Sequence, residues 1–541
     1  MNNPQPEPFV AERGRGARAD KGKGHTIMSA DKRPDILLIM PDQMRGDCLS
    51  LDGHPALLTP NADHVGGAGC FFRRAYSTCA SCIPARRSLL TGQFPSRNGL
   101  VGFTGGCPIR APTLPRVLLD GGYDTALVGR HMHQFPDDEP YGFATCIAGS
   151  TYAGHDEYSA MLQRAVPDLG GITGIGISFN GWQAKPWPLP EHLHPTSWAV
   201  RRAREYMAQR DTARPLFLVT SFFAPHPPLI PPAHYMERYL RTPLPAPAIG
   251  DWAVPPPGSG IGLGVDSPRV VLRGEAFRSA RAGYFGLINH IDDQIYWLIE
   301  DFKQRSTAMK RRWLIVFTSD HGEMLGDHYL FRKCEPYEGS SRIPLLIQGS
   351  PGLSLRAGTR CDRPVCLEDI MPTVLELAGI AAPPDMDGKS LVPVLRGQAD
   401  GVRAVLHAEH APCYSPGQAY HFLTDGRSKY IWRPIDGSEQ LFDLRNDPQE
   451  CHDLGSAANR ATELAGWRRR LCRQLAGRPE GFTDGMRLIP GRPYPAALPR
   501  ARGPATEGRA PGRTVRRGRK ASTPIRPRKA KSRKPHREKG S

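Results

Sequence analysis

The sequence predicts a doubly wound α/β domain with a mostly parallel sheet, followed by a smaller antiparallel sheet with a covering helix. Three observations carry this. Four short apolar runs, Asp35–Met40, Tyr123–Gly129, Pro215–Phe222 and Trp313–Ser319, are continuous, as strands buried on both faces of a parallel sheet should be. Helical stretches lie between them, which is the alternation of βαβ units. After Gly397 the texture changes to short alternating segments with turn residues, the pattern of an antiparallel sheet.

Each element has a local reason. Residues 1–33 are polar and charged, without the apolar centre of a signal peptide, so they are expected to be a disordered extension of a cytoplasmic protein. Asp35–Met40 is the first strand. Pro84 stands two residues after Cys82, which suits the first turn of a helix and puts the cysteine at an N-terminus where backbone N–H groups attract anions. Thr196–Arg210 opens on Thr and Ser, and Glu275–Lys303 repeats apolar residues at three- and four-residue spacing, so both read as helices. AVLHAEH, QAYHFLTDGRSKYIWR and EQLFDL, between Val402 and Asp443, read as the small sheet, and Ala458–Leu475 as the helix over it. The expected domains are residues 34–397 and 398–484.

Composition excludes several classes. The chain has 541 residues, 39% of them hydrophobic, and no run approaches the ~20 apolar residues of a membrane helix. Twelve cysteines are too few for a disulfide scaffold of this size. The net charge of +18 suggests a polyanion partner until it is divided along the chain. Arg487–Ser541 holds 18 basic against 2 acidic residues and Met1–Pro34 holds 7 against 4, leaving 46 basic and 47 acidic residues between. The body of the chain is therefore near neutral. Residues 485–541, rich in Pro, Gly, Lys and Arg, are expected to form a disordered basic tail open to nonspecific polyanion contact.

Two strands end in acidic residues. Asp42 and Gln43 follow the first, and Asp320 and His321 follow the fourth. In open parallel sheets ligands sit beyond the carboxyl ends of the strands, so these pairs are placed to converge on a divalent cation. An acidic residue after a strand also serves as a helix cap or turn residue, and the spacing leaves both uses open. The more specific signal is Cys82-Ile83-Pro84-Ala85-Arg86, followed by Thr91-Gly92. Cys79 and Cys82 form a CxxC, but no second CxxC completes a zinc site.

With LLIMPDQMRGD, CIPARRSLLTG, GGYDTALVGR, FFAPHPPL, FTSDHGEMLGDHYLFRKCEP and LFDLRNDP in this order, the chain resembles the sulfatase family of the alkaline-phosphatase superfamily from about Pro34 to Leu454. The resemblance implies an alkaline-phosphatase-like fold and a sulfuric-ester hydrolase. It implies that a formylglycine-generating or sulfatase-modifying enzyme converts Cys82 to formylglycine, whose hydrate attacks the sulfur of a small-molecule or saccharide sulfate ester and then expels sulfate to regenerate the aldehyde. Asp42, Gln43, Asp320 and His321 fall on the metal positions, with modified Cys82 joining metal to substrate. Arg86 would hold the formylglycine, Lys333 would contact the sulfate and leaving oxygen, and His226 would contact the sulfate or protonate the leaving group.

Departures matter. Asp42-Gln43 and Asp320-His321 resemble the variant found in choline sulfatases and phosphonate monoester hydrolases. A histidine ligand suits manganese as well as calcium; calcium is favoured, with manganese and magnesium as alternatives. The Gly-Lys-x-His usual after the third strand reads Gly129-Arg130-His131-Met132-His133, so Arg130 replaces lysine and the histidine is displaced; His133 is chosen over His131. His407, Glu409 and His410 near Cys413 look like a metal cluster but also suit a domain interface, and Glu409 is a candidate to reach the pocket. Asp327-His328 reads as a brace, and Trp182–Pro257 as loops over the pocket. Two rival functions stand beside the sulfatase reading: a phosphonate monoester or phosphodiester hydrolase on the same scaffold, and a nucleic-acid binder acting through the basic tail.

Overall fold

The four apolar runs become the four contiguous inner strands of an eight-stranded sheet. In the computed structural model, which describes residues 33–151, 155–257 and 264–499, the strands are β1 (Asp35–Asp42), β2 (Cys70–Phe72), β3 (Asp124–Gly129), β4 (Thr145–Ala148), β5 (Leu216–Pro225), β6 (Trp313–Thr318), β7 (Leu345–Gly349) and β8 (Thr359–Cys361). Their order is β8-β2-β7-β6-β1-β5-β3-β4. Only β7 runs against its neighbours; the other pairings are parallel.

Burial on both faces explains the unbroken apolar runs. Leu37 and Ile39 of β1 pack with α2 (Pro195–Gln209) and α3 (Gly274–Ala308), through residues such as Trp198, Ala203, Leu287 and Ile291. Ile36, Leu38 and Met40 face the opposite layer, built from α1 (Cys82–Thr91) and α4 (Ile370–Ala378). These five β1 residues are at most 2% exposed, and burying each aliphatic side chain contributes roughly 1.5–3 kcal/mol. A polar residue at any of these positions would face a packed helix on one side or the other.

The small sheet is an antiparallel meander of β9 (Leu406–His410), β10 (Tyr420–Thr424), β11 (Ser428–Trp432) and β12 (Glu439–Asp443). One face packs under α5 (Ala461–Leu475) through Trp467, Leu471 and Leu475. The other face, with Leu406, Ala408, Phe422 and Ile431, packs against Tyr76, Met324 and Tyr337 of the larger layer. The two sheets lie within one compact unit. A tail beginning at 485 is corrected in its first part. Val101 N donates to the Ala496 carbonyl at 2.9 Å, Leu498 is buried, and the Tyr494 hydroxyl donates to Glu409 Oε2 at 2.6 Å. Residues 1–32 of the expected 1–33 extension and the basic segment from 500 onward lie outside the described residues. No helix among the described residues is long and apolar enough to cross a membrane.

Candidate active site

β1 and β6 pair in parallel with Ile39 opposite Phe317, so Asp42 and Asp320, each three residues further on, emerge at the same level. The β1 register shifts between Met40 and Asp42, and Gln43 then takes a left-handed conformation (φ 67°), a strained turn of the kind kept at functional sites. Arg86, fully buried, ties the two carboxylates together: Nε donates to Asp320 Oδ2 at 2.8 Å and a terminal nitrogen to Asp42 Oδ2 at 2.9 Å. Arg130 adds a second cation 2.9 Å from Asp42 Oδ2. Gly129 makes this approach accessible. It ends β3 at φ 99°, and a Cβ there would lie 2.0 Å from the Ser221 carbonyl oxygen, which accepts from Arg130 N at 2.8 Å.

Asp42, Cys82, Asp320 and His321 present one ligand atom each, all within 4.8 Å of one another and all buried. Three features fit this set to a divalent cation. Asp42 Oδ1 is buried without a hydrogen-bond partner. His321 Nδ1 donates to the Gly322 carbonyl at 2.9 Å, which fixes the ring and leaves Nε2 facing Cys82 Sγ at 3.2 Å. The two carboxylates suit calcium, manganese or magnesium, and the imidazole is a ligand more typical of transition metals. Gln43 borders the set: its N–H orients Asp320 Oδ1 at 3.0 Å, its side-chain amide donates to Glu323, and its Oε1 accepts from Lys333 Nζ at 2.8 Å.

Cys82 is the first residue of α1, with Ser81 at the cap. His410 of β9 accepts from Ser81 Oγ at 2.8 Å, so the small sheet steadies the turn that presents the cysteine. Lys333 Nζ lies 3.1 Å from Cys82 Sγ, and His133 also hydrogen-bonds the thiol. Burial alone would raise this thiol, but Lys333 and His321 outweigh it and hold the group well below its ordinary value. The position is thus built for negative charge. His131 Nδ1 accepts from the His133 N–H at 2.8 Å and its carbonyl accepts from Arg86. Burial, then the Arg130 charge, pushes its ring down to about 3. His226 Nδ1 donates to the Pro227 carbonyl at 2.7 Å, so Nε2 carries the lone pair; burial, then Lys333 and Arg130, keep the ring neutral.

Above Cys82 opens a cavity of about 380 Å³ whose walls include Phe103, Phe179, Phe223 and Tyr414, with His226, Arg332 and Lys333 at its polar side. Glu409, a candidate to reach the cavity, does not line it. Its carboxylate is taken by Arg478 in two contacts of 2.9 and 2.7 Å and by Tyr494. His407 pairs with His421 at 3.1 Å. His407, Glu409 and His410 therefore do not form a metal cluster. Asp327 braces as expected, paired with Arg45 at 2.7 Å and Arg281 at 2.8 Å. The Trp182–Pro257 segment is not mainly a set of loops over the pocket, since it contains α2, β5 and the helix Ala233–Arg241. Of its residues only Phe223 and His226 line the cavity. The sequence reading missed Glu323, Phe103, Phe179, Asn180, Arg332 and Tyr414. Arg332 had one available signal, its position beside Lys333; Phe103, Phe179 and Tyr414 come from separate loops without a shared pattern.

Comparison with known proteins places this geometry. A family model described as Sulfatase matches residues 34–380, and one described as N-sulphoglucosamine sulphohydrolase, C-terminal, matches 326–475. An arylsulfatase of Clostridium perfringens is 35% identical over 85% of this chain and 98% of its own. A choline-sulfatase of Rhizobium meliloti is 30% identical, covering 78% of this chain and 82% of its own. The crystal structure of phosphonate monoester hydrolase of Agrobacterium radiobacter superposes with a TM-score of 0.67 at 26% identity, over 82% of this chain and 95% of that one. With its paired carboxylates, Cys82 and Lys333 gathered beneath one cavity, this chain belongs to the sulfatase family of the alkaline-phosphatase superfamily, the hydrolases of sulfate esters.

Proposed function

We propose that the chain cleaves sulfate monoesters of aromatic or similarly flat apolar alcohols, using formylglycine made from Cys82 and a calcium ion held by Asp42, Asp320, His321 and Gln43. The observation that carries this is the placement of Cys82 between the buried carboxylate and imidazole set and an aromatic-walled cavity. Three phenylalanines and a tyrosine suit a ring better than the many hydroxyls of a saccharide, which would need a denser set of polar partners. No carboxylate lines the described cavity, while Arg332 and Lys333 do, so the cationic alcohol choline is disfavoured. The first relative's name, arylsulfatase, agrees with this reading.

The cation, when bound, supplies Lewis-acid charge at the attacking group. The chain's own residues do the rest. Arg86 and Arg130 hold the Asp42 carboxylate in place, and Arg86 also holds Asp320. Lys333 Nζ, beside Cys82, is positioned to neutralise the sulfate and to give a proton to the departing oxygen. His226 orients rather than donates, because the proton on its ring is committed to Pro227. His133 steadies the group at position 82. Conversion of Cys82 by a modifying enzyme, and a cytoplasmic setting in which all twelve cysteines are free, belong to the same proposal.

Mass spectrometry of the peptide containing residue 82, on protein from its native host, tests the nucleophile: aldehyde is expected, and unmodified thiol would overturn the mechanism. Chelation followed by readdition of Ca²⁺, Mn²⁺ or Mg²⁺ tests the ion, with Ca²⁺ expected to restore most activity. A second reading, phosphonate monoester hydrolysis, is favoured by the structural likeness to the Agrobacterium enzyme. Higher kcat/KM for phenyl phosphonate esters than for aryl sulfates would establish it instead.

A further inference from the structure

The cavity over Cys82 contains one cation that sulfate chemistry leaves without a task. Arg332 and Cys334 both adopt left-handed backbone conformations (φ 74° and 68°) on either side of Lys333, and Arg332 and Lys333 both line the cavity. The Arg332 guanidinium is pinned at the rim. One terminal nitrogen donates to the Asp266 carbonyl at 3.1 Å, the other to Asn180 Oδ1 at 3.2 Å, and the guanidinium carbon lies 4.4 Å from the Tyr414 ring centre. Its main-chain N–H is held by Glu323. These three contacts are all with neutral groups. Among the described residues no carboxylate pairs with it, and its Nε is buried without a hydrogen-bond partner.

A cation that is partly desolvated beside aromatic rings and lacks an anion is an incomplete interaction, because burying charge without a counter-charge costs free energy. The anion that completes it is not the scissile sulfate in the arrangement above, where Lys333 serves that group next to Cys82. Each terminal nitrogen donates one hydrogen bond to Asp266 or Asn180 and keeps a further N–H of the guanidinium for a carboxylate or sulfate oxygen. Resting on the aromatic-ester reading of this pocket, we propose that Arg332 binds a second anionic group on the alcohol, so that the preferred substrates are sulfate esters of aromatic alcohols that also carry a carboxylate or a further sulfate.

The test compares kcat/KM of the holoenzyme for phenyl sulfate, 3- and 4-carboxyphenyl sulfate, and benzene bis-sulfates, in the wild type and in Arg332→Gln and Arg332→Lys. At least one acid-bearing ester is expected to be preferred over phenyl sulfate by about 10-fold or more, as a charge-assisted hydrogen-bonded pair supplies. Arg332→Gln should bring that preference, read as the ratio of kcat/KM for the acidic ester to that for phenyl sulfate, to within about twofold, and Arg332→Lys should keep part of it. Carboxylate and bis-sulfate esters tested separately identify which anion is read. Competitive inhibition of the wild type by hydroxybenzoates against phenol, with the acids expected to bind tighter, needs no variant. Equal use of neutral and acidic esters, or an equal loss on both in Arg332→Gln, would overturn the role of Arg332 and leave the aromatic-ester reading intact. Failure to hydrolyse phenyl sulfate and every acidic ester would instead overturn the aromatic-ester reading, and the Arg332 proposal with it.

Discussion

The floor of the cavity and its mouth are built on opposite principles. The floor sits on strand ends and the first turn of a helix. Arg86, Asp42, Asp320 and His321 are fully buried there, and each is held by at least two partners. The mouth is assembled from the loops around Phe103, Phe179 and Arg332 and the turn at Tyr414, whose contacts are mainly ring packing and one guanidinium. Charge density holds the floor rigid, since removing any cation strands a buried carboxylate. The mouth has no comparable penalty for change. The difference teaches that the chemical step is set where substitution is costly, and the choice of alcohol where it is cheap.

The largest effect should come from the centre of the floor. Cys82→Ala is expected to lower kcat/KM by about 10⁴-fold or more, as loss of a covalent nucleophile does, with thermal stability nearly unchanged; residual activity near wild type would remove Cys82 from the mechanism. Arg86→Met should destabilise the fold by about 3–5 kcal/mol, measured by denaturant unfolding, because Asp42 and Asp320 lose their shared counter-charge. A Tm equal to wild type would show that the floor is not held by charge.

A third variant separates rigidity from catalysis. Arg478→Met strands Glu409 in the same way outside the cavity, so it should cost about 3–5 kcal/mol of stability, while aryl sulfate turnover by the folded enzyme stays within about threefold. The pair also predicts a pH dependence. Burial raises Glu409, but Arg478 outweighs it and holds the carboxyl well below its ordinary 4.5. Its stabilising contribution is therefore fully present above pH 4.5 and is lost as pH falls toward the folded-state value. Below pH 4.5 the stability of the wild type should thus fall more steeply with acid than that of a Glu409→Gln, Arg478→Met double variant, measured by denaturant unfolding at each pH.

The smallest effects belong to the mouth. Phe179→Ala should raise KM for aryl sulfates about 10-fold with kcat within about twofold, the signature of binding lost equally from ground and transition states. Tyr414→Phe, which keeps the ring, should change kcat/KM by less than about twofold. A large fall in kcat from either would mean that mouth and floor are coupled and would break the contrast.

Much of the floor was legible because its signals are local. Asp35–Met40 and Trp313–Ser319 are too apolar for any place but a sheet covered on both faces, and the charged residues just beyond them mark the carboxyl ends where ligands bind. The Cys82 motif, with Pro84 and Arg86, needs no partner to be read as a helix start carrying a reactive group. Glu409 shows the limit. Its position on a strand near His407, His410 and Cys413 was visible, but its partners Arg478 and Tyr494 lie 69 and 85 residues away, and no local pattern reports a pairing at that distance.

By itself, then, the sequence determined which segments are buried strands, where the carboxylates, imidazoles and cysteine stand relative to strand and helix ends, and that the charge excess lies outside the neutral body of the chain. Those are consequences of composition and short-range periodicity. Only the tertiary structure decided that Ile39 sits opposite Phe317, bringing Asp42 and Asp320 level; that Arg86 bridges both carboxylates; and that loops far apart in the chain close an aromatic mouth around Arg332. Each depends on register or packing between distant segments, where side chains meet through the geometry of the whole sheet and not through their spacing along the chain.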